Sequence, residues 1–119
     1  MADGRLWVMI AGPYSSNGAD ARTREANLRV LNQAALAVWA LGHVPIIGVN
    51  LTLPMAEAAG DEGAYARLAM PLALALVERC DGCLRVGGAS KGADEEVARF
   101  RALGKSVWFS VHHVQVAVR

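Results

Sequence analysis

Alternation of short apolar runs with longer segments of helical periodicity is the feature that most constrains this fold. Apolar runs typical of buried strands lie at residues 5–11, 43–49, 82–86 and 105–112. Segments with apolar residues at helical spacing lie at residues 21–41, 61–79 and 93–103. Strands that alternate with helices favour a parallel sheet covered on both faces. Residues 114–118 are a candidate fifth strand, so we expect an open α/β sheet of four to five strands.

Two prolines affect the predicted elements in the middle of the chain. Residues 50–60 are predicted to form a long loop because Pro54 falls within them. Pro71 falls inside the predicted helix 61–79, and it either kinks this helix or begins its second part.

The composition favours one compact domain spanning residues 1–119. Hydrophobic residues make up 54% of the chain and charged residues 19%, which is typical of a chain that buries a core. A net charge of +1 argues against nucleic-acid binding. No apolar run is long enough to span a bilayer, and the N-terminus lacks the layout of a signal peptide. We therefore expect a cytoplasmic protein that does not bind membranes.

Cys80 and Cys83 form a C-x-x-C pair. A zinc site needs two further ligands, and the chain has no second pair of this kind. Redox pairs usually lie at a helix N-terminus, whereas this pair lies between a helix end and a strand. We expect a reduced, structural pair, and neither a metal nor another cofactor.

A glycine-rich stretch at residues 87–96 joins a predicted strand to a predicted helix. Glycines let the backbone approach a ligand closely, and a helix start attracts anions. The stretch ends in Asp94, Glu95 and Glu96. These carboxylates either complement the helix dipole or contribute a group to chemistry, and both interpretations stay open at this point.

In a parallel sheet, ligands bind at the carboxyl ends of the strands. Three loops should meet there, at residues 12–19, 48–53 and 87–92. The first is rich in turn residues and is followed by Arg22 and Arg24. It is either an ordinary turn before a solvated basic helix start or a ligand-binding loop. The second interpretation gains weight because cations at a helix N-terminus oppose the dipole.

Several short motifs occur in a characteristic order. They are Ala11-Gly12-Pro13-Tyr14-Ser15, Arg24 with Asn27, Leu41-Gly42-His43, Ser90-x-Gly92-x-x-x-Glu96 and Leu103-Gly104-Lys105. Together they resemble the nucleoside 2-deoxyribosyltransferase-like superfamily, and they are most similar to its small bacterial and phage branch. The likeness extends through about Val107 and includes deoxynucleoside 5′-monophosphate N-hydrolases. It implies a flavodoxin-like (Rossmann-like) open sheet and cleavage of an N-glycosidic bond.

The resemblance also implies roles for individual residues. Glu96 matches the family nucleophile, and Tyr14 matches the aromatic residue that hydrogen-bonds it. Cleavage of a glycosidic bond passes through an oxocarbenium-like state that a carboxylate can capture. Together with the three loops, the resemblance predicts a substrate site formed by Gly12, Pro13, Ser15, Arg22, Arg24, Asn50, Gly88, Ser90, Lys91 and Gly92.

Two departures from the family pattern separate the possible functions. Ser90 stands where transferases of free nucleosides carry aspartate and where nucleotide hydrolases carry a serine that contacts the 5′-phosphate. Ala73 stands where the family carries an aspartate that helps to protonate or bind the base. Three hypotheses follow: an N-glycosidase of deoxynucleoside 5′-monophosphates, a deoxyribosyltransferase, or a non-catalytic nucleotide-binding module. Asp81 is predicted to be a helix-end or strand-start residue rather than a catalyst.

The predicted helix 61–79 is apolar around more than one face, through Leu68, Met70, Leu72, Leu74, Leu76 and Val77. We therefore expect a homodimer or homotetramer in which a neighbouring subunit closes the cleft. His112, His113 and Gln115 would then reach the partner's site. The alternative is that the helix packs between the sheet and the first helix.

Overall fold

A four-stranded, all-parallel sheet forms the centre of the protein. The computed structural model describes residues 4–118, and its strands are β1 Trp7–Ala11, β2 Val44–Ile46, β3 Gly82–Arg85 and β4 Ser106–Trp108. Four helices pack around this sheet: α1 Ala21–Ala40, α2 Gly48–Ala59, α3 Ala64–Arg79 and α4 Lys91–Ala102. The strand order β2-β1-β3-β4 is consistent with a flavodoxin-like open sheet. The predicted fold class is thus confirmed.

Both faces of the sheet are covered, because residues of β1 and β3 alternate between two apolar clusters. Met9 and Cys83 pack in one cluster with residues of α3 and α4. Ile10 and Leu84 pack in the other with residues of α1 and with Val114. Each central strand therefore buries side chains on both faces, as parallel strands between helix layers do.

The prediction of a loop at residues 50–60 is wrong, since α2 covers most of this segment and ends at the left-handed Gly60. Pro54 removes one backbone donor, but the carbonyl that would accept from it belongs to the exposed Asn50. Water can serve that carbonyl, so the helix continues. The buried Thr52 donates a hydrogen bond to Gly48 O, and packing of α2 on α3 outweighs the cost of the proline.

Helix α3 runs through Pro71 as one element. Pro71 is exposed, as is Arg67 four residues before it, so the missing hydrogen bond again faces solvent. The helix begins at Ala64 rather than at Asp61, whose carboxylate pairs with Arg67 at 2.9 Å. At the other end, Lys105 Nζ donates to the carbonyls of Val77, Glu78 and Cys80 at 2.8–2.9 Å.

Other boundaries also differ from the prediction. Strand β2 stops at Ile46 because α2 begins at Gly48, and α4 begins at Lys91 because Ser90 Oγ caps Ala93 N. Strand β4 covers only Ser106–Trp108, and a 3-10 helix at Val111–His113 follows.

Residues 114–118 form no strand in the described structure. They cross the α1 side instead, where Ala117 N donates to Leu41 O and Gln115 O contacts His43 Nε2. Backbone partners outside the sheet therefore satisfy this segment. The sheet of the described residues has four strands, not five.

Cys80, Asp81 and Cys83 have structural roles. Both cysteines are free and buried. Burial raises the pKa of the Cys80 thiol to about 11 and that of the Cys83 thiol to about 12, so both remain protonated and pack as apolar groups. Asp81 Oδ2 accepts from Trp7 N at 2.8 Å at the start of β3, which is the predicted strand-start role.

Within residues 4–118, no helix has the length and apolar character needed to cross a membrane.

Candidate active site

The candidate site lies where the strand order reverses between β1 and β3. The loops that follow these two strands meet at the carboxyl edge of the sheet, and a cavity of about 300 Å³ opens between them. Helices α2, α3 and α4 supply the remaining walls. This is the position predicted for the ligand, and its volume is at the lower end of the range for small-molecule sites.

Two glycines allow the loops after β1 and β3 to approach each other. A Cβ atom on Gly12 would lie 2.6 Å from Val86 O, which no larger residue could tolerate. Gly87 has φ +77°, and a Cβ there would lie 2.8 Å from Pro13 Cδ. Backbone contact, rather than side-chain packing, therefore sets the separation of the two loops.

Polar side chains hold the loop after β1 in place. Asn27 Nδ2 donates to Tyr14 O at 2.9 Å, and Arg24 Nη1 donates to Ala19 O at 2.7 Å. Asn17, which has φ 59°, donates through Nδ2 to Ala89 O at 3.2 Å. These bonds connect the loop to α1 and to the loop after β3. They hold the backbone of Tyr14 and its neighbours in place beside the cavity.

Glu96, the predicted nucleophile, lines the cavity from the second turn of α4. Burial raises the pKa of its carboxyl group to about 7. The Arg85 guanidinium acts to lower this pKa and the neighbouring Glu95 acts to raise it further. A carboxylate that titrates near neutral pH inside a cavity is typical of catalytic sites.

Arg85 is a residue of the site region that the sequence analysis did not single out. Its side chain is only 10% exposed, and it donates to Val86 O at 2.6 Å and to Gly88 O at 2.9 Å. It also pairs with Asp94 Oδ1 at 3.3 Å. The signal in the sequence was a cation at the end of an otherwise apolar strand, because such a charge must find partners on burial.

Tyr65 is a second residue of the cavity that no sequence motif indicates. It lines the cavity from α3, and its ring lies 5.7 Å from the Tyr14 ring, centroid to centroid, at 49°. Burial raises the pKa of Tyr65, and Tyr14 and Glu96 add to the rise. Only the tertiary fold brings Tyr14 and Tyr65 together, since 51 positions separate them.

Ser90 is 4% exposed and lies at the N-terminus of α4. Its Oγ accepts a hydrogen bond from Ala93 N and lies 2.9 Å from Ser16 Oγ. The pair of hydroxyls joins the two loops beside the cavity. Together with the helix N-terminus, it forms a group of donors suited to an anion.

The predicted site residues fall into three groups. Lining the cavity are Gly12, Tyr14, Ser15, Ser90, Gly92 and Glu96. Pro13 and Gly88 line a neighbouring polar cleft that shares Ser16 with the cavity. Outside the cavity lining are Arg22, Arg24, Asn50 and Lys91. Arg24 is held by Ala19, Asn50 donates to Asn32 Oδ1 at 2.9 Å, and Arg22 and Lys91 are exposed.

Most of the cavity wall from α3 consists of small or apolar side chains. Ala73 is 6% exposed and belongs to this wall, together with Ala66, Ala69 and Met70. Ala73 therefore faces the cavity, and its side chain presents only a methyl group there. On α2, Gly48, Val49 and Thr52 complete the enclosure.

No protein-family model matches this chain, and the curated proteins contain no match to it.

Proposed function

We propose that this protein cleaves the N-glycosidic bond of a deoxynucleoside 5′-monophosphate in the cytoplasm, with Glu96 as the nucleophile. The products are a free base and a deoxyribose 5-phosphate. The observation that carries the proposal is the cavity carboxylate of Glu96, whose pKa burial raises to about 7. Such a group is ionised in a large fraction of molecules at neutral pH and lacks the full solvation that would weaken it as a nucleophile.

The sugar and the base suit the apolar part of the cavity. Met70 and the alanines of α3 offer an apolar, uncharged wall, while Tyr14 and Tyr65 offer aromatic rings with hydroxyl groups. Ligand sites commonly combine an apolar lining with a few polar groups that fix orientation. A heterocyclic base between these walls would bring its sugar within reach of α4 and Glu96.

The phosphate suits the N-terminus of α4. Ser90 and Gly92 line the cavity, and the first-turn amides of Lys91 and Gly92 lack intrahelical acceptors. The exposed Lys91 side chain is next to this turn and can approach a bound anion. No cation belongs to the cavity lining among residues 4–118, so the hydroxyl and amide donors at this helix start would be the main partners of a monophosphate.

One observation favours the alternative of a non-catalytic nucleotide-binding module. Ala73 presents a methyl group where a carboxylate would help to protonate the base. A binding module needs the phosphate donors and the apolar walls but no proton donor. A deoxyribosyltransferase remains the other alternative, in which a second base accepts the sugar from Glu96.

The test is incubation with the four 2′-deoxynucleoside 5′-monophosphates and the matching nucleosides, with released base measured by chromatography. We expect base release from at least one monophosphate, with a rate that rises with pH through about 7 as Glu96 ionises. Glu96→Gln should abolish release, while Glu57→Gln, which changes an exposed carboxylate outside the cavity, should not.

The other outcomes identify the alternatives. Release that requires an added second base indicates a transferase. Thermal stabilisation by a monophosphate without release indicates a binding module. If no monophosphate is cleaved and none raises the melting temperature, the assignment of this cavity as a nucleotide site is contradicted.

A further inference from the structure

Three titratable side chains line the cavity among the described residues: Tyr14, Tyr65 and Glu96. The proposed reaction, on which this inference rests, uses the Glu96 carboxylate to attack C1′. The departing base leaves with the electron pair of the C–N bond, and it departs readily only if a proton reaches it. Glu96 cannot supply that proton while it attacks as a carboxylate, so the two phenols are the candidates.

The α3 wall distinguishes the two phenols. The side chains that α3 offers to the cavity are Ala66, Ala69, Met70, Ala73 and Tyr65. Tyr65 alone among them carries a hydrogen-bond donor. A base that lies along this apolar wall meets one polar side chain of α3, and it is the hydroxyl of Tyr65. Tyr14 comes from the loop after β1, and its ring supports that of Tyr65 at 5.7 Å.

We propose that the Tyr65 hydroxyl is the proton donor to the departing base. In the first step a Glu96 oxygen forms a bond to C1′, the C1′–N bond breaks, and the proton of Tyr65 passes to the base. In the second step water attacks C1′ and its proton returns to the Tyr65 phenolate. The C1′–Glu96 bond then breaks and Glu96 is again a carboxylate. Over the two steps, one water is consumed and both side chains regain their starting forms.

The electrostatics of the cavity fit this sequence of events. Burial raises the pKa of Tyr65, the neighbouring Tyr14 adds to the rise, and a hydrogen bond from Ser15 opposes it. The negative charge of Glu96 contributes to the rise as well, so the phenol holds its proton in the resting protein. Once Glu96 becomes an ester, that charge is gone, and Tyr65 releases its proton more easily.

The experiment compares two leaving groups. The first substrate is whichever 2′-deoxynucleoside 5′-monophosphate the wild-type protein cleaves fastest. The second is 4-nitrophenyl 2-deoxyribofuranoside 5-phosphate, whose nitrophenolate departs without a proton. We expect Tyr65→Phe to slow base release by roughly 100-fold or more and to change nitrophenolate release by less than about threefold. Retained thermal stability would show that the variant is folded, and Glu96→Gln should abolish both reactions.

Two results would overturn the role of Tyr65: equal slowing of both substrates by Tyr65→Phe, or no slowing of base release. A wild-type protein that releases neither base nor nitrophenolate would instead overturn the proposed function, and the role of Tyr65 with it. Tyr14→Phe is the matched control, because it removes the hydroxyl of the other tyrosine in the cavity. If Tyr14 acts on Glu96 rather than on the base, this variant slows both substrates to the same extent.

Discussion

Replacement of Glu96 by glutamine should stabilise the folded protein at alkaline pH. Burial raises the pKa of Glu96 from its ordinary value of 4.5 to about 7. Folding therefore binds a proton, and the native state loses stability as pH rises through this range. One pKa unit corresponds to about 1.4 kcal/mol, so the full loss is about 3 kcal/mol. Glutamine keeps the shape of the side chain and carries no charge to desolvate.

The stability difference between the variant and the wild-type protein should grow with pH. We expect it to be below about 1 kcal/mol at pH 5 and about 3 kcal/mol at pH 8, or roughly 10 °C in melting temperature for a chain of this length. Urea unfolding at a series of pH values measures it. Subtraction of the two curves removes the contribution of the other titrating groups.

The matched control is Glu57→Gln, because Glu57 is exposed on α2 and outside the cavity. This variant should differ from the wild-type protein by less than about 1 kcal/mol at each pH. A Glu96→Gln stability difference that stays constant between pH 5 and pH 8 would refute the argument that Glu96 ionises at a cost inside the cavity.

Three further predictions concern the ligand, the end of α3 and the assembly. Deoxynucleoside monophosphates should raise the melting temperature more than the matching nucleosides do, since tighter binding stabilises more; equal shifts would count against a phosphate contact at Ser90. Lys105→Met should lower the free energy of unfolding by about 2 kcal/mol in urea, because three carbonyls near the end of α3 lose their charged donor; a change below about 0.5 kcal/mol would show that water replaces it. Sedimentation at micromolar concentration should give a dimer or a tetramer, and a single species of 12.6 kDa would contradict the homo-oligomer.

The fold was predictable because strands and helices alternate clearly along the sequence. The wrong prediction of a loop at residues 50–60 arose because a single residue, Pro54, was given more weight than the pattern around it. Pro54 suggested a loop, yet Val49, Thr52, Leu53 and Ala56 recur at helical spacing and all of them are at least half-buried in α2. The periodicity was the better signal. A proline whose missing hydrogen bond faces water costs less than the packing of the helix provides.

Predicted residues next to glycines line the cavity, whereas residues that tertiary contacts bring to the cavity were not predicted. Gly12, Ser90 and Glu96 lie at or just after strand-to-helix junctions, and such junctions are visible in a sequence. Tyr65 lies on a helix wall, far from any motif, so only the packing of α3 reveals it. The exposed cations Arg22 and Lys91 were included for their charge, but charge alone does not determine whether a side chain points into a cavity.

The cavity wall formed by α2 is less firmly held by hydrogen bonds at its start than the wall formed by α4. The N-cap residue of α2, Ile47, has no side-chain acceptor for the first amides, and the helix contains Pro54. Its first turns nevertheless supply Gly48, Val49 and Thr52 to the lining. The start of α4, in contrast, is capped by Ser90 Oγ, which accepts from Ala93 N. Ligand entry and departure should therefore follow the local unfolding of α2, and amide hydrogens of α2 should exchange with solvent more slowly when the cavity is filled.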